Sequence, residues 1–219
     1  MQTKTTYNSL FSASIAVLIS IIAWTLYVLL MNIAPEPFAN DMPRALARVF
    51  VVLLPAIFHI LRQKDVPKLD YLQLKENWLQ GFLIGVLIAS IYLAFTIATT
   101  MENPMIALPV APAIWFNFII GSPFAEELLF RGVLFNELNR VTSSYLAIII
   151  SALLFAILHL PVWIILDGMP IGLLAQNFIQ IFIYGLIFAM MMKFTKSLWT
   201  PLSAHWLNNF ILLSVIDSV

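Results

Sequence analysis

The sequence contains no cysteine, and only 10% of its 219 residues are charged. The absence of cysteine excludes disulfide bonds and thiolate metal ligands. The scarcity of charge excludes an ordinary soluble domain, in which about a quarter of the residues are charged. The formal net charge is zero, so no basic surface points to nucleic acid as a partner. Because 62% of the residues are hydrophobic, the sequence predicts an integral membrane protein embedded in the lipid bilayer.

Several hydrophobic segments approach the length of about 20 apolar residues that a bilayer-spanning helix needs. They predict an all-α, polytopic membrane helix bundle of about seven transmembrane helices in a single membrane domain, residues 1–219. The spans are expected at about 10–31, 45–61, 78–99, 113–140, 144–160, 171–194 and 198–216. Residues 1–9 lack the pattern of a cleaved signal peptide, so the first span is expected to be retained. Pro161 is expected to end the fifth span.

The fourth predicted span contains a signal for a break. Ser122 as an N-cap and Pro123 at the first helical position predict that a new helix begins there. Glu126 and Glu127 would then lie in or just past its first turn, where the helix dipole favours anions. The polar residues at 136–140 are expected to emerge into water.

Lysine and arginine concentrate in one set of loops, which predicts the orientation of the chain. The N-terminus and the second, fourth and sixth loops hold Lys4, Arg62, Lys64, Lys68, Lys75, Arg140, Lys193 and Lys196. The opposite loops hold only Arg44, with Arg48 just inside the second span. The N-terminus is therefore expected in the cytoplasm and the C-terminus outside.

A cluster of charge lies inside the fourth span. No charge occurs between Glu102 and Glu126, and then Glu126, Glu127 and Arg131 follow closely. A charge at membrane depth costs roughly 2.5–3.5 kcal/mol, so by default it marks a functional site. Glu127 and Arg131 are four residues apart on a helix and can pair, whereas Glu126 points about 100° away. The alternative is that both glutamates only form ion pairs with Arg131.

The turn between the fourth and fifth spans relates Glu126 to a histidine. Glu126 and His159 lie equally far from residues 142–143, so antiparallel helices would bring them to the same depth. His205 lies roughly 12 Å from its end of the last span, whereas Glu126 and His159 lie roughly 25 Å from the turn. This difference disappears if the polar tip of the hairpin projects several turns further, and helix tilt or the expected break at Pro123 would also account for it.

The other two histidines differ in their surroundings. His205 and Asn209 are four residues apart and share one face of the last span. His59 has no polar partner at helical spacing and is interpreted as structural. The alternative for His159 and His205 is also structural, as a helix-closing residue and as a hydrogen-bonded core residue.

Three motifs follow one another on these segments. Glu126-Glu127 with Arg131 forms EExxxR, Phe155 with His159 forms FxxxH, and His205 with Asn209 forms HxxxN. In this order they resemble the CPBP family of intramembrane proteases, which includes the CAAX prenyl endopeptidases and the Abi, or bacteriocin-processing, group. The resemblance covers residues 113–219, the expected catalytic core, and residues 1–112 form N-terminal spans and loops that carry none of it.

The resemblance implies an endopeptidase that hydrolyses peptide bonds of membrane-associated peptides or proteins with a glutamate-activated water. It implies Glu126 as the base and His159 as the group that positions and polarises the water. The implied donors to the oxyanion are His205 and Asn209, and the implied supporting residues are Glu127, Arg131 and Phe155.

Other interpretations stay open at this point. Glu126, His159 and His205 could form a three-ligand zinc site with one open position. A glutamate that binds metal cannot simply serve as the base, however, and no HExxH occurs, which favours metal-independent activation of water. The chain could also be a non-enzymatic membrane scaffold, regulator or bacteriocin-immunity protein. A proton or ion transporter that uses these side chains as a relay is disfavoured by the lack of an internal repeat.

Overall fold

The structure is a computed structural model that describes residues 2–33, 42–64, 66–100, 104–108 and 111–217. This part of the chain folds into eight helices and one two-stranded sheet. The helices are α1 (Gln2–Ile33), α2 (Met42–Arg62), α3 (Lys68–Tyr71), α4 (Trp78–Thr100), α5 (residues 112–141), α6 (residues 144–166), α7 (Ile171–Thr195) and α8 (Trp199–Ser214). Strand β1 (Pro104–Ile106) pairs antiparallel with β2 (Val215–Asp217).

Five of the described helices are long and apolar enough to cross a membrane. The segments are Tyr7–Ile33, Met42–Arg62, Trp78–Thr99, Ser144–Leu166 and Ile171–Thr195. The chain is therefore a polytopic helical membrane protein. The fourth and seventh predicted spans, α5 and α8, are not among the five. Helix α8 has only 16 residues, and the chain continues from it as strand β2 rather than as helix.

The predicted break before Pro123 is wrong. Gly121 (φ −74°, ψ −52°) and Ser122 (φ −63°, ψ −47°) are both helical, so α5 runs on through the proline. Ser122 does not cap a helix, because its hydroxyl donates to Asn117 Oδ1 at 3.0 Å. A π-helical stretch, Trp115–Gly121, precedes the proline. Such turns let a membrane helix satisfy the backbone groups that proline frees, so the two adjacent glutamates lie in the middle of α5.

Pro161 does not end the next helix either. The α-helical turns Ser144–Pro161 continue directly into a π-helical stretch, Val162–Leu166. Pro161 and Val162 both have helical backbone angles. The predicted end of the fifth span at residue 160 is therefore corrected to residue 166.

Helix α5 lies at the centre of the bundle. Helices α1, α2, α6, α7 and α8 all pack against it, and every residue of its π-helical stretch Leu128–Phe135 is buried. The surrounding helices form the packed pairs α1–α2, α6–α7 and α4–α8. In the last pair, a Cβ on Gly81 or Gly85 would collide with Ser197 or Thr200. Small residues one turn apart permit this close helix approach, which anchors α8 in the bundle.

The C-terminal end of α5 projects past the start of α8. Gly132 lies against the Leu198 side chain, and residues 133–141 then extend about 14 Å further. The polar segment 66–77 covers this end, where the Asn136 side-chain amide donates to the Tyr71 carbonyl at 3.0 Å. Glu137, predicted to emerge into water, is fully buried. The projection accounts for the difference in depth calculated from the sequence between the last span and the hairpin.

Candidate active site

Glu126 on α5 and His159 on α6 face each other. Glu126 Oε2 lies 4.0 Å from His159 Nε2, and the two side chains are 15% and 25% exposed. The turn between the helices thus brings them to the same depth, as residue counting predicts. A polar separation of this size is too long for a direct hydrogen bond and fits one water that contacts both groups.

The ring of His159 is held by its own helix. His159 Nδ1 lies 2.9 Å from the Phe155 carbonyl oxygen. A carbonyl only accepts, so Nδ1 carries the hydrogen and Nε2 of the neutral ring keeps its lone pair. The Trp163 ring packs on the imidazole at a centroid distance of 5.5 Å. His159 Nε2 therefore faces the Glu126 carboxylate.

Glu127 has different partners from its neighbour. It is fully buried, and its Oε1 accepts from Arg131 Nη1 at 3.0 Å and from His205 Nδ1 at 2.9 Å. Arg131 Nη2 donates in turn to the Gly185 carbonyl at 3.1 Å. Since an ionised carboxylate only accepts, His205 donates from Nδ1 and has Nε2 left. His205 is thus attached to Glu127 and not to Glu126.

One aromatic ring joins these groups. Phe155 is 1% exposed, and its ring centroid lies 5.0 Å from that of His159 and 6.0 Å from that of His205. Arg131 Cζ lies 4.3 Å from the same centroid, in the geometry of a cation–π contact. Phe155 therefore packs against both histidines and the arginine of the motifs.

Asn209 ties α8 to the π-helical stretch of α5. Its Nδ2 donates to the Phe118 carbonyl at 2.8 Å, and its Oδ1 accepts from Asn208 Nδ2 at 3.2 Å. Two residues further along α5, the Ile120 carbonyl accepts from Trp206 Nε1 at 3.0 Å. One N–H of the Asn209 amide is left after these contacts.

The motif residues line a common cavity of about 390 Å³. Glu126, His159, His205 and Asn209 all contribute to its wall. Its polar residues from α7, which the sequence analysis missed, are Asn177, Gln180 and Tyr184. Their spacing of three and four residues in an apolar helix is the signal that could have revealed them.

Arg48 is a further cavity residue that the sequence analysis used only for topology. It lines the cavity from α2, together with Glu126 and His159. Its guanidinium carbon lies 4.5 Å from the Phe118 ring centroid and 5.0 Å from that of Trp24. The two rings hold a cation near Glu126, and no sequence motif signals it.

The predicted zinc ligands do not form a compact set. Among the residues that the structure describes, no three or more histidine, aspartate or glutamate side chains are grouped closely enough to hold a metal ion. The arrangement of Glu126, His159 and His205 thus does not fit a three-ligand zinc site.

Comparison with known proteins gives consistent results. The chain is 27% identical over 187 residues to a Bacillus subtilis (strain 168) protein named "Putative membrane peptidase YdiL", covering 78% of this chain and 70% of that protein. It is 27% identical over 136 residues to the "Membrane-embedded CAAX protease MroQ" of Staphylococcus aureus (strain USA300), covering 58% of this chain and 49% of MroQ. No solved structure matches the chain significantly.

A family match covers the part of the chain that holds the site. Residues 108–211 match the family described as "Type II CAAX prenyl endopeptidase Rce1-like". The matched range contains all three motifs, from Glu126 to Asn209. The part of the chain that carries the motifs is thus similar to the Rce1-like family of type II CAAX prenyl endopeptidases.

Proposed function

We propose that the chain is an intramembrane endopeptidase in which Glu126 activates a water for attack on a peptide bond. The observation that supports this is the difference between the two adjacent glutamates. Glu127 is fully buried and accepts hydrogen bonds from Arg131 and His205. Glu126, in contrast, lines the cavity 4.0 Å from His159 Nε2. A general base needs a free lone pair within reach of the proton it abstracts, and Glu126 has one.

In the proposed reaction, a water lies between Glu126 and His159. One O–H donates to Glu126 and the other to His159 Nε2, which leaves an oxygen lone pair to attack the carbonyl carbon. Glu126 takes the first proton as the new C–O bond forms. It then returns that proton to the leaving nitrogen as the C–N bond breaks, so the carboxylate is regenerated.

The oxyanion would be stabilised from α8. The donors are His205 Nε2 and the remaining N–H of Asn209. Because Nδ1 already donates to Glu127, His205 can donate from Nε2 only as an imidazolium with hydrogens on both nitrogens. Glu127, Arg131 and Phe155 therefore serve as positioning residues in the proposal.

We also propose that α5 and α8 cross the bilayer, which gives seven spans with a cytoplasmic N-terminus and an external C-terminus. Helix α8 is shorter than a typical span, but it packs on α4, α5 and α7. The lysine and arginine bias supports the orientation. Residues 1–112 and 113–219 would form one membrane domain, the second part carrying catalysis. Membrane-associated peptides or protein tails would be the substrates, and the name of the relative MroQ supports this class.

The test compares peptide termini in membranes from cells with the wild-type chain, Glu126→Gln or Glu76→Gln at equal protein levels. Glu76 is an exposed acid outside the cavity and provides the matched control. We expect a set of cleavage products with the wild type and Glu76→Gln that is absent with Glu126→Gln. The same products in all three would contradict the proposal and leave the scaffold, regulator or bacteriocin-immunity function.

A further inference from the structure

A second cavity lies between α1 and α2. This α1–α2 groove has a volume of about 550 Å³, and within the described residues it shares no lining residue with the catalytic cavity. Hydrogen bonds define its direction, because Ser9 on α1 contacts Gln63 just past the end of α2, and Ser20 contacts the Val52 carbonyl further along. One end of the groove is thus at residues 8–9 and 62–64, and the other is deeper between the helices.

The deeper part of the groove is apolar. Phe11, Ile15 and Ile19 follow one another at a spacing of four residues on α1, so they lie on one face and cover about 12 Å along the helix. Phe58 lies opposite them on α2. All four side chains are exposed, from 40% for Ile15 to 68% for Phe11. In a membrane protein, an exposed apolar concave surface contacts hydrocarbon chains.

The other end of the groove is polar and basic. Arg62 and Lys64 are exposed there, and neither has a salt-bridge partner among the described residues. The floor is His59, which is 1% exposed and lies 3.2 Å from Ser12 Oγ through Nδ1. This end therefore offers two cations and hydrogen-bonding groups above an apolar channel.

We propose that the α1–α2 groove binds one anionic phospholipid. The head group would contact Arg62 and Lys64, and one acyl chain would follow Phe11, Ile15 and Ile19. Basic pockets between transmembrane helices recognise anionic head groups in this way, and each cation near the membrane surface strengthens the attraction. A free phosphate ion would leave the apolar part unused, and a zwitterionic lipid would bring its own cation towards the two basic side chains. The proposal does not depend on proteolysis.

The test measures lipid binding to the full chain in detergent micelles by native mass spectrometry. Phosphatidylglycerol and phosphatidylcholine are titrated separately. We expect the wild type to bind phosphatidylglycerol at a concentration roughly tenfold lower than it needs to bind phosphatidylcholine. Arg62→Gln/Lys64→Gln should abolish this preference. Lys68→Gln/Lys75→Gln removes the same number of positive charges from residues outside the groove, and this variant should retain the preference for phosphatidylglycerol.

A second pair of variants tests the apolar part. Ile15→Trp should fill the groove and reduce binding of phosphatidylglycerol, whereas Ile22→Trp, on an exposed part of α1 outside the groove, should not. Equal loss in the two charge variants would mean general electrostatic attraction and would overturn the proposal. So would displacement of the lipid by inorganic phosphate, or unchanged binding to Ile15→Trp.

Discussion

Helix α5 carries two clusters in which glutamate meets histidine. In the first, Glu126 lies opposite His159 on the wall of the proposed catalytic cavity. In the second, Glu137 Oε1 accepts from the Tyr71 hydroxyl at 2.8 Å and from Arg140 Nη1 at 3.2 Å, and lies 3.8 Å from His59 Nε2. The residue types are the same. What differs is that the first acid has a cavity beside it, while the second is fully buried and its Oε1 contacts three side chains.

His59 shows why residue type alone does not identify a site. Its Nδ1 contacts Ser12 Oγ at 3.2 Å, and its Nε2 contacts Tyr71 and Gln63 at 3.0 and 2.9 Å. Gln63 is four residues further along the chain, just past the end of α2, so the statement that His59 lacks a polar partner at helical spacing was wrong. Both ring nitrogens are engaged, however, which agrees with the interpretation of His59 as structural.

Substituting the acid of each cluster should separate activity from stability. Glu126→Gln keeps the shape of the side chain but removes the base, so we expect the cleavage rate to fall about 10²–10⁴-fold while the thermal midpoint stays near that of the wild type. Glu137→Gln should cost about 1–3 kcal/mol of stability and leave the rate per folded molecule unchanged. Purified variants in one detergent would be compared by peptide cleavage and thermal unfolding. A folded but inactive Glu137→Gln protein would invalidate the distinction between the clusters.

The Glu127–Arg131 pair beside the first cluster should contribute to stability and, through the contact of Glu127 with His205, to activity. Arg131→Met leaves Glu127 buried without its cation, which should cost about 3–5 kcal/mol. Glu127→Gln/Arg131→Met removes both charges, so we expect it to regain much of the stability measured by thermal unfolding. It should stay nearly inactive, because His205 then lacks its carboxylate. Full activity of the double variant would show that His205 works without Glu127.

Much of the fold follows from the sequence because a bilayer requires long apolar helices. Five expected spans agree with described helices within a few residues at most ends. The passage of α5 through Pro123 was not predicted, because the capping rules describe helix starts and not π-helical turns supported by neighbouring helices. The burial of Glu137 was missed for a related reason. Its cover comes from Tyr71, which is remote in the sequence.

The candidate site, like the fold, could be predicted from the sequence only in part. Helical spacing predicts that Glu127 and Arg131 can pair, and the turn at residues 142–143 predicts the depth of Glu126 opposite His159. These are local properties of one helix or one hairpin. The contact between His205 and Glu127 depends on how α8 packs against α5, and the sequence contains no local signal for that packing.

Substitution of Tyr71 tests the second cluster with a smaller chemical change. Burial and the neighbouring Glu137 raise the pKa of the Tyr71 phenol far above its usual range, so the hydroxyl keeps its proton and donates. Tyr71→Phe should therefore cost about 1–3 kcal/mol, with no loss of cleavage rate. Because the folded pKa is raised, the contribution is present at every pH below about 10 and falls only above it. Unfolding of both proteins from pH 6 to 9 should thus give a constant difference, and a difference that disappears within this range would contradict the assignment.

Metal removal is expected to have the smallest effect. No group of three possible ligands is close enough to hold a metal in the described part of the chain. We therefore expect the purified chain to keep its cleavage rate after chelation, with metal content checked by mass spectrometry. Chelator already loaded with calcium controls for effects of the chelator itself. A rate that is lost on chelation and restored by one equivalent of zinc would show that Glu126, His159 and His205 move together in the working enzyme, and Glu126 would then be a ligand and not the base.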